Sequence, residues 1–281
     1  NRLDYELYEY AIQLSSRTSA ETIKRQPAAP PNPLPIKERP VQVQRGRQFV
    51  VYLHFHKAAG TAISHGFLHS GYPWARSACN GNPQSIPCHH CPCRKSIPYW
   101  QHPITKVLGD FQRLSARFIA VEFGWWKLEE FQRAPKKREA DFVVTMRDPW
   151  DRYISHMRFE HIQMTIENAA RSILPFNWHV HMLALGHTQP TPIPLGREHL
   201  EIAKRQLDLF DLVLVLEDKH FADVLRNRYG VKLPPPHDAN TGDRPLTPLV
   251  NVERDRPFFM ENNRLDYELY EYAIQLSSRH Q

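Results

Sequence analysis

Four short apolar runs, rich in β-branched and aromatic residues, limit what this 281-residue chain can fold into. They are Gln48–Phe55, Arg117–Phe123, Asp141–Met146 and Leu212–Glu217. Each is strand-sized, and none alternates cleanly between apolar and polar as a half-solvated strand would. The intervening patterns predict helices over 61–69, 105–115, 125–133, from near Pro149, and over 161–185, 198–208 and 219–229. Such alternation predicts an α/β fold, a parallel sheet with helices on both faces. In such sheets ligands bind beyond the carboxyl ends of the strands. The residues that follow each run are therefore where chemistry is expected.

One segment is duplicated. NRLDYELYEYAIQLSSR at 1–17 recurs unchanged at 263–279. At helical spacing Leu265, Leu269, Ala273 and Leu276 share one face, flanked by Tyr270. Two copies do not make a solenoid. One groove holds one helix, and the C-terminal copy is expected in it because it continues directly from the domain. Residues 18–46, with PAAPPNPLP at 27–35, read as an extended linker, so the globular domain is expected over 47–281. The chain starts at Asn1 with no Met and no signal-peptide pattern, as expected of a piece of something longer. No apolar run approaches the ~20 residues of a membrane-spanning helix.

Lys and Arg number 36 against 30 Asp and Glu, a net charge of +6 that favours an anionic ligand. Nucleic acid, a nucleotide and an acidic polysaccharide all qualify. No nucleic-acid motif accompanies the charge, which argues against the first.

The first run ends in HFHKAAGTAI, residues 54–63. A strand, a tight turn holding Lys57 and Gly60, and Thr61 opening a helix form a phosphate cradle. Backbone N–H groups at a helix N-terminus point at an anion, and the helix dipole favours negative charge there. A Walker A loop is absent, since here the Lys precedes the Gly; this argues against a nucleotide kinase. The third run ends in TMRDPWDRYISHMRF, residues 145–159. Asp148 can cap the next helix with Pro149 at its first position. Arg147 and Ser155 can then meet one anion at its mouth, a guanidinium fork beside a hydroxyl, with Arg152 on the turn between.

The pair K-x-x-G-T and R-D-P-x-x-R-x-x-S, in that order, resembles the carbohydrate sulfotransferases that use 3′-phosphoadenylyl sulfate (PAPS). It is most similar to the heparan sulfate 6-O-sulfotransferase group. The family pattern H-x-x-K-T-G-G-T is written here from His54 to Thr61, with Ala58 and Ala59 in place of Thr-Gly. NWHVHML (177–183) resembles the group's N-x-Q-x-x-M-L with His179 for Gln, HDANTGDR (237–244) a nucleotide-contacting loop, and LDYELYEYA (265–273) a C-terminal motif. The resemblance spans about 48–279. It implies a sulfotransferase fold with a P-loop-like parallel sheet, and PAPS as co-substrate with no metal. Lys57, Ala58, Ala59, Gly60, Thr61 and Ala62 would hold the 5′ end, Arg147 and Ser155 the 3′-phosphate, and Asn240 and Thr241 would also touch the nucleotide. It also implies an acidic glycan acceptor and a Golgi lumen location, with membrane attachment only through an anchor outside this chain.

Sulfuryl transfer needs a base for the acceptor hydroxyl and positive charge on the leaving phosphate. Lys57 suits the second role. For the first, the group's G-L-H-x-D-W segment matches Ala120-Val-Glu122-Phe-Gly-Trp125 and puts Glu122 at the base position. Burial at the end of an apolar strand is expected to raise its pKa. His54, His56 and His65 are alternative bases. Trp125 and His179 are the residues expected to face the acceptor. Trp126, Trp100 and Tyr99 read as core or boundary aromatics before sugar platforms.

Cys79, Cys88, Cys91 and Cys93 lie together, beside His89 and His90. By residue type they fit Zn²⁺ or disulfides. The resemblance, with its Cys-rich insertion and oxidising compartment, implies disulfides, either Cys79–Cys91 with Cys88–Cys93 or Cys79–Cys93 with Cys88–Cys91. The remaining alternative is a polyanion- or nucleotide-binding domain that keeps the fold without transfer. The Ala58-Ala59 change and the Glu at the base position give it weight.

Overall fold

Strands β1 (Phe49–Leu53), β2 (Phe118–Val121), β3 (Ala140–Met146) and β4 (Leu212–Val215) pair in parallel in the order β2-β1-β3-β4. This is a computed structural model, and it describes residues 49–72, 103–113, 117–122, 126–127, 129–130, 140–186, 194–233 and 245–280. The segment 1–17, the linker, the four Cys, Trp125, Asn240 and Thr241 lie outside the described residues, as does most of the helix expected over 125–133. Every residue of the four strands is buried, which is why the runs read as continuous rather than alternating.

Helices α1 (Gly60–His69), α2 (Ile104–Arg113), α3 (Pro149–Phe159), α4 (Ile166–Ser172), α5 (Trp178–Leu185), α6 (Arg197–Leu207), α7 (Phe221–Tyr229), α8 (Val252–Asn262) and α9 (Arg264–Ser277) complete the described elements, with a short 3₁₀ turn after α9. One sheet face packs Val50, Tyr52 and Val143 against Ile63 and Phe67 of α1 and Phe221 and Leu225 of α7. The other packs Val51, Leu53, Val144 and Val213 against α5, α6 and the buried side of α9. At about 1.5–3 kcal/mol per fully buried large apolar side chain, these two layers supply the main driving force for folding. A third cluster joins Trp150, Tyr153 and Met157 of α3 to α4 and to Phe259 of α8. Among the described residues no helix is long and apolar enough to cross a membrane.

Two elements differ from expectation. The stretch 161–185 forms two helices. Pro175 lacks a backbone N–H and disfavours helical backbone in Leu174, and Asn177 enters the left-handed region at φ 55°. Helix α8 was unforeseen because Pro257 lies inside it; Asn251 caps its start by accepting from Arg254 N at 2.9 Å.

The C-terminal copy of the repeat is indeed docked, with Asp266, Leu269, Ala273 and Leu276 buried. Its start and that of α5 cap each other. Asp266 accepts from His179 N and Val180 N at 3.0 and 2.9 Å, while Asn177 Oδ1 accepts from Leu265 N and Asp266 N at 3.1 and 3.2 Å. Asn177 also adopts the left-handed backbone at lower cost than Ala would. Asn177→Ala is therefore expected to lower stability by about 2 kcal/mol in chemical denaturation, with Asn177→Gly recovering the backbone share only. An Ala variant as stable as the parent would show that the reciprocal cap contributes little.

Candidate active site

The strand order reverses between β1 and β3. β1 leads on to β2 on one side, and β3 lies on the other. That switch point opens a crevice beyond the carboxyl ends, where connections diverge to opposite sides. Three residues expected at the site lie beyond the strand ends: Glu122 and Arg147 directly after β2 and β3, and Lys57 in the turn that follows β1.

The β1 turn is tight. Ala58 N bonds to Phe55 O at 3.0 Å, and Lys57 and Ala59 both take positive φ, 67° and 61°. These are conformations that Gly adopts freely and L side chains adopt at a cost. Ala59 is the N-cap of α1, Gly60 its first residue and Thr61, buried, its second. Gly60 has no room for a side chain, since an added Cβ would stand 1.6 Å from the buried His54 ring. His54 is held there by its N–H to Val121 O at 2.8 Å, which extends the β1–β2 ladder by one residue. Ala62 is half-buried on α1, where His65 turns its ring toward His69.

Helix α3 starts as its sequence dictates. Asp148 accepts from Asp151 N at 3.0 Å, with Pro149 at the first position. Arg147 lies just before it, 1% exposed, and its Nη1 donates to Lys57 O at 2.7 Å. This bond ties the two turns together across 90 residues of chain. Ser155 is buried further along α3, and Arg152 lies one turn before it with its guanidinium 4.2 Å from the Trp178 ring centroid. Lys57 Nζ stands 3.9 Å from the ring centroid of Phe159, at the end of the same helix. Among the described residues, Arg147 Nη2, Arg152 Nε and Nη1, Ser155 Oγ and Ser64 Oγ are buried with no hydrogen-bond partner. Buried donors without acceptors are costly, and those on two guanidinium groups more so. Burial lowers the Arg152 pKa to about 10, against the pull of Asp266.

Glu122 is buried, and its Oε1 is 2.6 Å from His56 Nδ1. Its pKa corrects the sequence expectation. Burial pushes it up, but the charge of His54, the hydrogen bond and charge of His56, and Lys57 together bring it below its ordinary value. His156, whose ring centroid is 4.3 Å from that of His56, is held well below its ordinary value by burial and by His56, Arg152 and Lys57. His56, His156 and Glu160 bring ligand-type atoms within 4.8 Å of one another. Glu160 is exposed, and His56 Nδ1 is already engaged by Glu122 at 2.6 Å.

His179 is not brought to this crevice. It is fully buried, edge-on to Phe55 at 4.9 Å and 3.2 Å from Asp266, which leaves no surface for an acceptor. Trp126 is a core residue. The His56–Glu122 pair had no signal in the sequence beyond the two residues' types. Arg152 did, since it stands inside the same motif as Arg147 and Ser155.

No protein-family model matches the chain, and no curated protein matches it.

A second layer supports Arg147. Glu217, just past β4, accepts from Asp148 N at 3.1 Å and from Tyr270 OH of α9 at 2.7 Å. Burial pushes its pKa up to about 7, against the pull of Arg147. Between its ordinary value of 4.5 and about 7 the folded state keeps a proton that the unfolded chain has released. Stability therefore falls as pH rises through that window, by at most about 1.4 kcal/mol per pH unit. Glu217→Gln should flatten this fall when melting temperature is followed from about pH 4.5 to 7.5. An unchanged slope would mean that Glu217 titrates normally.

Proposed function

We propose that the chain transfers a sulfuryl group from PAPS to a hydroxyl of a glycan, a heparan-sulfate-like acceptor being favoured, on a sulfotransferase-type α/β fold. The observation that carries this reading is the Arg147–Lys57 bond. It joins the two motifs at the switch point and leaves buried guanidinium and hydroxyl donors of α3 without partners among the described residues. A bisphosphorylated nucleotide supplies the acceptors such donors lack. The order of the motifs along the chain supports the same reading.

In this reading the turn from Lys57 to Ala62, with Thr61, holds the 5′ end. Arg147 Nη2 and Ser155 hold the 3′-phosphate, and Arg152 adds its orphaned nitrogens to that group. Asn240 and Thr241 remain nucleotide contacts and Trp125 an acceptor contact. The acceptor oxygen bonds to sulfur as the bond from sulfur to the 5′-phosphate oxygen breaks. The products are a sulfate ester and 3′,5′-adenosine bisphosphate. Lys57 neutralises the leaving phosphate. The acceptor proton passes to the Glu122–His56 pair. Glu122, held low, is a poor base alone; His56 takes the proton and Glu122 balances the resulting charge. The transfer requires no metal, and such an enzyme works in the Golgi lumen.

With labelled PAPS and a panel of desulfated glycans, Lys57→Ala and Arg147→Ala should each lose at least about 100-fold in turnover. Glu122→Gln should keep nucleotide affinity and lose rate. Full activity in either of the first two contradicts the assignment. A second reading, a nucleotide- or polyanion-binding domain without transfer, is favoured by Ala59, which holds φ 61° where the family carries Gly. Nucleotide binding with no labelled ester on any acceptor would select it.

A further inference from the structure

Every side-chain contact that α9 makes is encoded twice. Asp266, Leu269, Tyr270, Tyr272, Ala273 and Leu276 have exact counterparts in Asp4, Leu7, Tyr8, Tyr10, Ala11 and Leu14. Asn263, which accepts from Asn177 N at 2.8 Å, has its counterpart in Asn1. The groove reads α9 through these side chains. Leu269, Ala273 and Leu276 fill its apolar floor, Asp266 caps α5, and Tyr270 reaches Glu217. A ligand of identical sequence presents identical groups to that groove.

The direction of α9 also suits a second tether. α9 runs alongside α6 in the same sense. Glu268 pairs with Arg197 at the start of α6, and Tyr272 meets Asp208 just past its end, at 2.5 Å. Asp208 lies shortly before β4, so α9 ends near the side of the sheet where the parallel strands begin, and β1 begins there at Phe49. A copy of α9 in this groove would thus finish on the side from which β1 starts. The tether from Arg17 to Phe49 spans 18–48, and at ~3.3 Å per residue its extended reach is about 100 Å. Two interstrand spacings, the step from β4 to β1, amount to only about 10 Å.

We propose that residues 1–17 are a second occupant of the α9 groove, docking within the same chain when α9 leaves it. The two copies carry the same side chains and differ in tether. α9 is anchored at its start through Asn263 and α8, and the N-terminal copy is anchored at its end through the linker. The direct tether of α9 makes it the resting occupant. The linker holds the second copy at millimolar-scale effective concentration, so exchange within one chain outcompetes exchange between chains. Because Tyr270 bonds to Glu217, and Glu217 to the backbone beside Arg147, either occupant restores the support of the crevice. This inference does not depend on the chemistry proposed above.

The test uses the full chain and three variants, followed by thermal melting and sedimentation velocity. Leu7→Asp alone is expected to melt like the parent. Leu269→Asp alone is expected to keep a cooperative transition, because the intact copy takes the groove. Leu269→Asp combined with Leu7→Asp is expected to melt on the order of 10 °C lower still, or not to fold. Leu269→Asp falling as far as the double variant, or the double variant matching Leu269→Asp at high stability, would overturn the exchange. A Leu269→Asp protein that is rescued only as a concentration-dependent dimer would overturn docking within the chain.

Discussion

The bond from Arg147 Nη1 to Lys57 O holds together everything else at the strand ends. It exists because β1 and β3 are neighbours in a parallel sheet, so chain segments far apart in sequence leave the sheet side by side. It matters because each turn carries a cost that the bond helps to offset. The β1 turn carries two L-residues at positive φ, and the guanidinium of Arg147 is buried without a carboxylate in hydrogen-bonding contact among the described residues. The single bond lets the Lys57 carbonyl satisfy one guanidinium nitrogen and fixes the strained turn in place.

The charge around this bond is lopsided. Lys57, Arg147 and Arg152 lie with His54, His56 and His156, while Glu122 is engaged by His56, Glu217 near Arg147 by Tyr270 and Asp148 N, and Asp266 near Arg152 by the N–H groups that open α5. Arg152 pays for its burial partly by lying against Trp178. Under the proposed function, the buried donors without partners among the described residues, Arg147 Nη2, Arg152 Nε and Nη1 and Ser155 Oγ, would suit a compact anion. Glu217 and α9 stand behind the crevice, and α9 reaches it through the Tyr270–Glu217–Asp148 hydrogen bonds and through the charge of Asp266 near Arg152.

Much of this was legible in the sequence. The four runs gave away the strands because a parallel sheet buries both faces, and Asp148-Pro149 marked the start of α3 because cap and first-turn chemistry are local. Lys57 and Arg147 were expected near each other because each follows the carboxyl end of a strand, and the bond between them joins those two turns. What escaped notice depended on contacts between distant segments. The depressed pKa of Glu122 comes from the charge of His54 and from His56, 66 residues away in the chain, and no pattern in either segment announces the other. His179 looked like a surface contact in its motif, yet Asp266 at the start of α9 and Phe55 enclose it. α8 was hidden by Pro257, whose penalty is outweighed by the packing of Phe259 into the third cluster.

The most direct measurement is calorimetric titration of the full chain with 3′,5′-adenosine bisphosphate and, in parallel, with 5′-AMP. If the two strand-end turns form one anion crevice with separate places for two phosphates, the bisphosphate binds saturably and at least about tenfold more tightly. Equal affinity for the two nucleotides, or binding of neither, would contradict the account.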